Sequence, residues 1–156
     1  PEGVAYIRRN GAWRRTVKPR PAELDEWSHF LHDASGDATS RDAQVGSPNR
    51  LRWVAEPRWC RSHEIPSSVN AVVTADGRIF TIFDEGPVGV YQKLPQNCKL
   101  VARDAANGVL LWKKKIASWS DHLRHFRAGP VHLPRRLVAV GDRAAVSTPV
   151  PAAFIT

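Results

Sequence analysis

Short apolar runs alternate along the chain with turns that carry glycine and aspartate, a pattern typical of antiparallel β-structure. Near the start, VAYI and AWRRTV flank Asn10-Gly11, a dipeptide typical of a two-residue hairpin turn. From residue 51 onward the same pattern predicts seven further strands, at 51–55, 71–74, 78–83, 100–103, 109–114, 137–140 and 143–147. The sequence therefore predicts an all-β chain.

Residues 19–48 interrupt this pattern and are predicted to be a linker or entry segment. They follow a hairpin at 1–18, and the proline-rich stretch 18–21 breaks the strand alternation. Within the segment, AELDEWSHFLHD is predicted to form about two helical turns, with Leu24, Trp27, Phe30 and Leu31 on one face. The polar stretch that follows is a long loop, which in a compact domain is either functional or a connector.

A repeated pattern favours a propeller over a sandwich or a barrel. The strand–turn–strand pattern occurs twice, in VNAVVTADGRIFTI and in PRRLVAVGDRAAVS, about 65 residues apart. The usual period of a propeller blade is about 40–50 residues. Insertions at 85–98 and 117–134 account for the excess. Residues 49–156 are thus expected to form one complete four-stranded blade plus parts of its neighbours, truncated at the C-terminal end. The chain lacks methionine and ends in PVPAAFIT, so a piece of a longer protein is expected.

The segment ARDAANGVLLW carries the most specific motif. Ala102, Asp104, Gly108 and Trp112 fall in register with the pattern A-x-D-x-x-T-G-x-x-x-W, and Asn107 stands where threonine is usual. The segment resembles the tryptophan-docking motif of quinoprotein propellers. The resemblance implies that the aspartate accepts N–H groups in the turn, that the glycine adopts a positive φ and that the tryptophan docks between blades.

A wider resemblance covers residues 23–147. DEWSHFLHD, GSPNRLRWV, PRWCRSHE, GRIFTIFDEGP, LVARDAANGVLLWKK and LPRRLVAVGDR are similar to successive blocks of a pyrroloquinoline-quinone-like propeller family of planctomycete type, often described as similar to the outer-membrane protein assembly lipoprotein. After residue 143 the sequence departs from the family. The resemblance implies a non-catalytic binding or scaffold module in an exported or envelope-associated protein, with neighbouring blades as partners and a protein or glycan as ligand.

Two alternatives stay open. Part of a quinone-dependent oxidoreductase would bind pyrroloquinoline quinone with Ca²⁺, but the vicinal cysteines usual at such sites are absent, and no cofactor is expected. Alternatively, PEGVAYI resembles the end of a class I S-adenosylmethionine-dependent methyltransferase domain. Residues 1–18 would then end an upstream domain, the propeller would be an arm of a fusion protein, and the location would be cytoplasmic.

Candidate chemistry is sparse. Trp59, Arg61, His63 and Glu64 could bind a quinone, sugar or peptide, although a loop anchored by its tryptophan is the simpler interpretation. The pair Asp84 and Glu85 could bind Ca²⁺ or do acid–base work, although a polar strand end explains it as well.

No catalytic or metal-ligating residue is predicted. His122 and His125 are three apart but lack an obvious third ligand, and His29 and His32 lie far upstream. Cys60 and Cys98 lack ligand spacing; in an exported protein a disulfide between them is possible, and two free, partly buried thiols are expected.

The net charge of +8 does not by itself indicate a nucleic-acid partner. The basic residues are spread along the chain and do not form one helix face or one aromatic-interleaved stripe. No apolar run reaches the ~18 residues that a membrane helix needs.

Overall fold

The computed structural model describes residues 3–44, 46–56, 69–89, 94–117, 134–147 and 153–155, which form three open antiparallel β-sheets. In this described part the only regular helix is a short 3₁₀ turn, Pro134–Arg136. The prediction of an all-β chain is therefore confirmed for these residues. None of their helical turns has the length and apolar character that crossing a bilayer would require.

The first sheet is the hairpin predicted at the start of the chain. Strands β1 (Val4–Arg9) and β2 (Ala12–Val17) pair antiparallel around Asn10 and Gly11. Both turn residues have positive φ, 49° and 80°, which a type I′ turn requires. Nearly every residue of the hairpin is exposed, so it adds little to the core.

The second sheet, called the central sheet below, contains four strands in chain order, each paired antiparallel with the next. Its strands are β3 (Val69–Ala75), β4 (Arg78–Asp84), β5 (Cys98–Asp104) and β6 (Leu110–Lys115). The first turn again has two positive φ values, at Asp76 and Gly77. All four strands were predicted; β3 and β5 extend beyond the predicted bounds at both ends, β4 is one residue longer, and β6 has the predicted length but begins one residue later.

The third sheet packs against the first strand of the second. It consists of β7 (Leu137–Val140), β8 (Arg143–Val146) and β9 (Ala153–Ile155), also in chain order, and β7 contacts β3. One apolar core fills the space between the two sheets. Its largest side chains are fully buried, and each contributes roughly 1.5–3 kcal/mol of burial; they are Phe80, Ile82, Leu100 and Leu137.

The entry segment is irregular, and the prediction of helical turns at 22–33 is wrong. It has a few isolated turn bonds of its own, and other backbone groups bond to the sheets. Trp27 N–H donates to Thr74 Oγ1 at 2.8 Å, and the Trp27 carbonyl accepts from Thr74 N–H at 2.7 Å. The next carbonyl, of Ser28, accepts from Ala139 N–H at 3.0 Å. Tertiary hydrogen bonds have thus replaced the i to i−4 bonds of a helix.

The predicted strand at 51–55 is also wrong. These residues have no regular secondary structure and no partner strand in the described part of the chain, and Leu51 and Val54 are more than four-fifths exposed. Trp53 is the residue that holds the segment in place. Its indole Nε1–H donates to the Ala105 carbonyl at 2.9 Å, on the turn after β5.

Candidate functional site

The turn that carries the suspected docking motif is closed by its own aspartate. Asp104 is buried, and its Oδ1 accepts the N–H groups of Ala106 at 2.8 Å and Asn107 at 3.2 Å. The Asp104 carbonyl accepts from Gly108 N–H, and Gly108 has φ +74°. A Cβ added at that glycine would lie 2.6 Å from the Trp53 ring, so both backbone and space demand glycine here.

Trp112 lies in a row of side chains that crosses the central sheet. The register pairs Val73 with Phe80, Phe80 with Ala102 and Ala102 with Trp112. Because alanine is small, the rings on either side of it approach each other, and the centroids of Phe80 and Trp112 are 5.9 Å apart. The four motif residues therefore build this end of the sheet. Docking between blades stays a prediction.

The carboxylates of Asp84 and Glu85 have separate partners. Asp84 is buried, and its Oδ1 accepts the N–H groups of Gly86 at 2.8 Å and Asn97 at 2.7 Å, which closes the connection to β5. Glu85 forms an ion pair with Lys113. The structure thus gives both residues roles at the strand end.

Several sequence predictions lie outside the described residues. They concern Trp59, Arg61, His63, Glu64, Cys60 and the histidines at 122 and 125.

The most concentrated set of ionisable side chains in the described ranges lies in the entry segment. His32 is 2% exposed, although its backbone forms part of an irregular turn with φ +73°. Its ring packs edge-on against Trp27, with centroids 5.3 Å apart. His29 N–H donates to the His32 carbonyl at 3.0 Å, and this bond closes the turn that points the imidazole inward.

Asp25 contacts one nitrogen of the His32 ring. Its Oδ2 lies 2.8 Å from His32 Nε2 and also accepts Arg41 N–H at 2.6 Å and Ser40 Oγ–H at 3.2 Å. These bonds gather residues distant in sequence around one oxygen. They are also why residues 22–44 fold without regular secondary structure.

Asp33 and Asp37 approach the other ring nitrogen. His32 Nδ1 is 3.5 Å from Asp33 Oδ2 and 3.4 Å from Asp37 Oδ1, and it has no hydrogen-bond partner. Gly36, with φ +69°, reverses the chain between the two aspartates, and its N–H donates to the Asp33 carbonyl. We call Asp25, His32, Asp33 and Asp37 the Asp–His cluster.

The three carboxyl groups of the cluster are stabilised as anions. Arg41 N–H is the main cause that lowers the pKa of Asp25 to about 2; burial opposes it, and Glu26 N–H, His32 and Ser40 add to the lowering. The Ser35 hydroxyl lowers the pKa of Asp33, together with Ser35 N–H. Thr39 N–H lowers the pKa of Asp37. The cluster is therefore acidic within a basic protein.

One exposed cation lies beside the cluster. Arg41 Nη2 is 3.3 Å from Asp37 Oδ2 and 3.7 Å from Asp33 Oδ2, and the Arg41 side chain is 66% exposed. It neutralises part of the negative charge from the solvent side. It does not contact His32 Nδ1.

A cavity of about 430 Å³ adjoins the cluster, because Asp25 lines it. The linker after β2, the first turn of the central sheet and the turn after β5 form its walls. Its charged lining residues are Lys18, Arg20, Arg52, Arg78, Asp25, Asp42 and Asp76. A volume of this size lies in the range of small-ligand sites.

The sequence interpretation missed the Asp–His cluster. The signal was the run H-D-x-x-x-D with a glycine between the aspartates, preceded seven residues earlier by Asp25. Because residues 22–33 are predicted to be helical and the following polar stretch to be a long loop, the sequence interpretation had no reason to bring Asp25, His32 and Asp37 together.

Comparison of the chain with protein-family models, curated proteins and solved structures gave no match in any of the three.

Proposed function

We propose that this chain is part of a quinoprotein-like β-propeller and serves as a binding module that is non-catalytic on its own. One observation carries the proposal: the central sheet and the sheet that follows it both run in chain order, and their first strands, β3 and β7, lie in contact. Four-stranded sheets of this order, packed face to face around an axis, are the blades of a propeller. The tryptophan-docking residues at 102–112 support the same interpretation.

The cavity beside the first turn of the central sheet is the ligand site in this proposal. Its lining combines guanidinium groups, which donate to hydroxyl and sulfate oxygens, with carboxylates, which accept from hydroxyl groups. Asp76 already holds Arg78 and approaches Arg20 at 3.8 Å, whereas Arg52 reaches the cavity from the segment anchored by Trp53. A glycan is therefore the ligand class that we favour, in an exported or envelope-associated protein.

A sulfated heparin hexasaccharide is a suitable probe for this site. Titration calorimetry on the 156-residue chain should give saturable binding that Arg52→Ala weakens by about tenfold or more, which is the loss of roughly one charge-assisted hydrogen bond. Arg143→Ala is the matched control, because it removes one exposed arginine from β8, away from the cavity. Equal losses in the two variants would mean that the net charge alone attracts the probe, and would reject the cavity.

A second titration separates the binding module from the oxidoreductase alternative. The chain is mixed with pyrroloquinoline quinone and Ca²⁺ up to high micromolar quinone, and absorbance and dye reduction are followed. We expect neither a bound chromophore nor dye reduction. Stoichiometric quinone binding would overturn the non-catalytic proposal.

The exposed hairpin favours a second candidate, the propeller arm of a methyltransferase fusion. Tyr6 and Trp13 are about two-thirds exposed on a two-stranded sheet, and such a sheet is marginal unless another element covers it. In this alternative the hairpin completes a preceding domain. A strand followed by a glycine-rich loop in the sequence upstream of residue 1 would support it, and an unrelated upstream sequence would exclude it.

A further inference from the structure

We propose that His32, Asp33 and Asp37 bind a divalent transition-metal ion of the zinc class, and that Asp25 positions His32 for it. The inference goes beyond the proposed glycan-binding role and does not depend on it. Its basis is the convergence of three donor atoms, within 4.8 Å of one another, in the described part of the entry segment.

The buried nitrogen of His32 is the first argument. Asp25 Oδ2 accepts from Arg41 N–H and Ser40 Oγ–H, so the same oxygen also meets His32 Nε2 as an acceptor and the proton of the His32–Asp25 bond lies on Nε2. In the neutral ring Nδ1 then carries a lone pair, and two carboxylate oxygens, which carry lone pairs as well, lie 3.4 and 3.5 Å from it. Three such atoms repel one another unless a cation lies between them.

Two of the three distances between the donor atoms fit a tetrahedral ion. Zinc binds histidine nitrogen and carboxylate oxygen at about 2.0–2.2 Å, which places neighbouring donors of a tetrahedron about 3.3–3.6 Å apart. His32 Nδ1 lies 3.5 Å from Asp33 Oδ2 and 3.4 Å from Asp37 Oδ1. A nitrogen donor argues against Ca²⁺ and Mg²⁺, which prefer oxygen ligands only.

The hydrogen bonds around the cluster leave these donors available. Asp33 uses its other oxygen, Oδ1, to accept from Ser35 N–H at 2.8 Å and Ser35 Oγ–H at 2.6 Å. Among the described residues, Asp37 Oδ1 accepts one hydrogen bond, from Thr39 N–H at 3.1 Å. Three protein donors leave a fourth position, which faces solvent because the side chains of Asp33 and Asp37 are 32% and 41% exposed. Such an open position is typical of zinc sites that bind a further ligand.

Asp25 acts on the ion through the ring. A carboxylate on the far nitrogen of a metal-binding histidine fixes the tautomer and the ring orientation. Asp25 is itself held by Arg41 N–H and Ser40 Oγ–H, so the imidazole is oriented before any ion arrives. Asp25 is a positioning residue and not a ligand.

The alternative is a doubly protonated His32 that forms ion pairs with the aspartates and binds no metal. Competition titration of the 156-residue chain with Zn²⁺ and a chromophoric chelator separates the two, and Co²⁺ serves as a spectroscopic probe. We expect one ion per chain, tetrahedral Co²⁺ absorption bands, and long-range ¹⁵N spectra in which one histidine is metal-bound through Nδ1. An octahedral Co²⁺ spectrum, or no binding, would overturn the proposal.

Variants assign the signal to the cluster. The double variant Asp33→Asn, Asp37→Asn should weaken Zn²⁺ binding on the order of 100-fold or more, and Asp25→Asn about 10–100-fold, as is usual for an outer-shell carboxylate. Asp142→Asn is the control, because this carboxylate is 71% exposed on the β7–β8 turn, and it should leave affinity unchanged.

Two outcomes guard against misinterpretation. Binding that survives the double variant but is lost in His122→Gln, His125→Gln would place the ion elsewhere and overturn the proposal. If the double variant unfolds, the ¹⁵N spectrum of the unmodified chain still tests the proposal. The resonance of the histidine that is metal-bound through Nδ1 should disappear in His32→Gln, which would assign that resonance to His32.

Discussion

The central sheet and the entry segment are stabilised by different forces. Rows of apolar side chains hold the sheet together, and Phe80, Ile82 and Leu100 are completely buried in it. The entry segment buries little except His32 and keeps its shape through carboxylates that accept backbone N–H groups. In the sheet many packing contacts each contribute a little to stability, whereas in the entry segment a few carboxylates contribute most of it. A single substitution should therefore act globally in the sheet and locally in the entry segment.

The largest effect is expected from Phe80→Ala. The substitution leaves a cavity beneath Trp112 and should lower the free energy of unfolding by about 3–5 kcal/mol, or abolish cooperative unfolding. Urea unfolding monitored by circular dichroism measures this. Val72→Ala in the partner strand is the control, since Val72 is 42% exposed and should cost less than about 1 kcal/mol. Equal losses would show that the core face is not where the stability lies.

Gly108→Ala should come next. The alanine must adopt φ +74° and also displace the Trp53 ring, so we expect a loss of about 2–3 kcal/mol in urea unfolding. Gly141→Ala tests the backbone part alone, because Gly141 has φ +58° with nothing within 4 Å of the added Cβ, and it should cost about 1 kcal/mol. If the two variants are equally stable, the contact with Trp53 contributes nothing.

Asp25→Asn should disturb the entry segment and spare the sheet. Hydrogen exchange followed by NMR should show the Arg41 amide exchanging at least about tenfold faster, because its strong acceptor is lost. The amides of Phe80 and Leu100 should change by less than about twofold. Faster exchange across both regions would mean that the entry segment and the sheet unfold as one unit.

The smallest effect is expected for the ion pair between Glu85 and Lys113. Both side chains are about 30% exposed, so a double-mutant cycle with Glu85→Gln and Lys113→Met should give a coupling free energy below about 1 kcal/mol that falls with added salt. A larger coupling that is insensitive to salt would show that the sheet edge also depends on charged contacts.

The same contrast explains which parts of the fold could be predicted. The strands from Val69 to Lys115 have alternating apolar residues bounded by turn residues. The structure keeps this local pattern because it places the apolar side chains on the buried face of the sheet. At Asn10-Gly11 and Asp76-Gly77 the local backbone preference decides the turn.

The failures lie where long-range polar bonds outweigh local preference. AELDEWSHFLHD has helical spacing of its apolar residues, but Asp25 and Trp27 bond to Arg41 and Thr74. A sequence pattern does not show such partners. The prediction of a strand around Trp53 is wrong for a related reason. A strand needs a neighbouring strand to pair with, and the local sequence pattern does not show whether one is present.

Adjacent carbonyls in the entry segment set the spacing of the two larger sheets. The Trp27 carbonyl bonds to β3 and the Ser28 carbonyl bonds to β7, and consecutive Cα atoms are about 3.8 Å apart whatever the surroundings. Covalent geometry therefore fixes the distance between the two carbonyls, and the segment acts as a linker of constant length between β3 and β7. Repacking the core with larger side chains cannot widen the gap without breaking one of these two bonds, so the sheets should tolerate tilting before they tolerate separation.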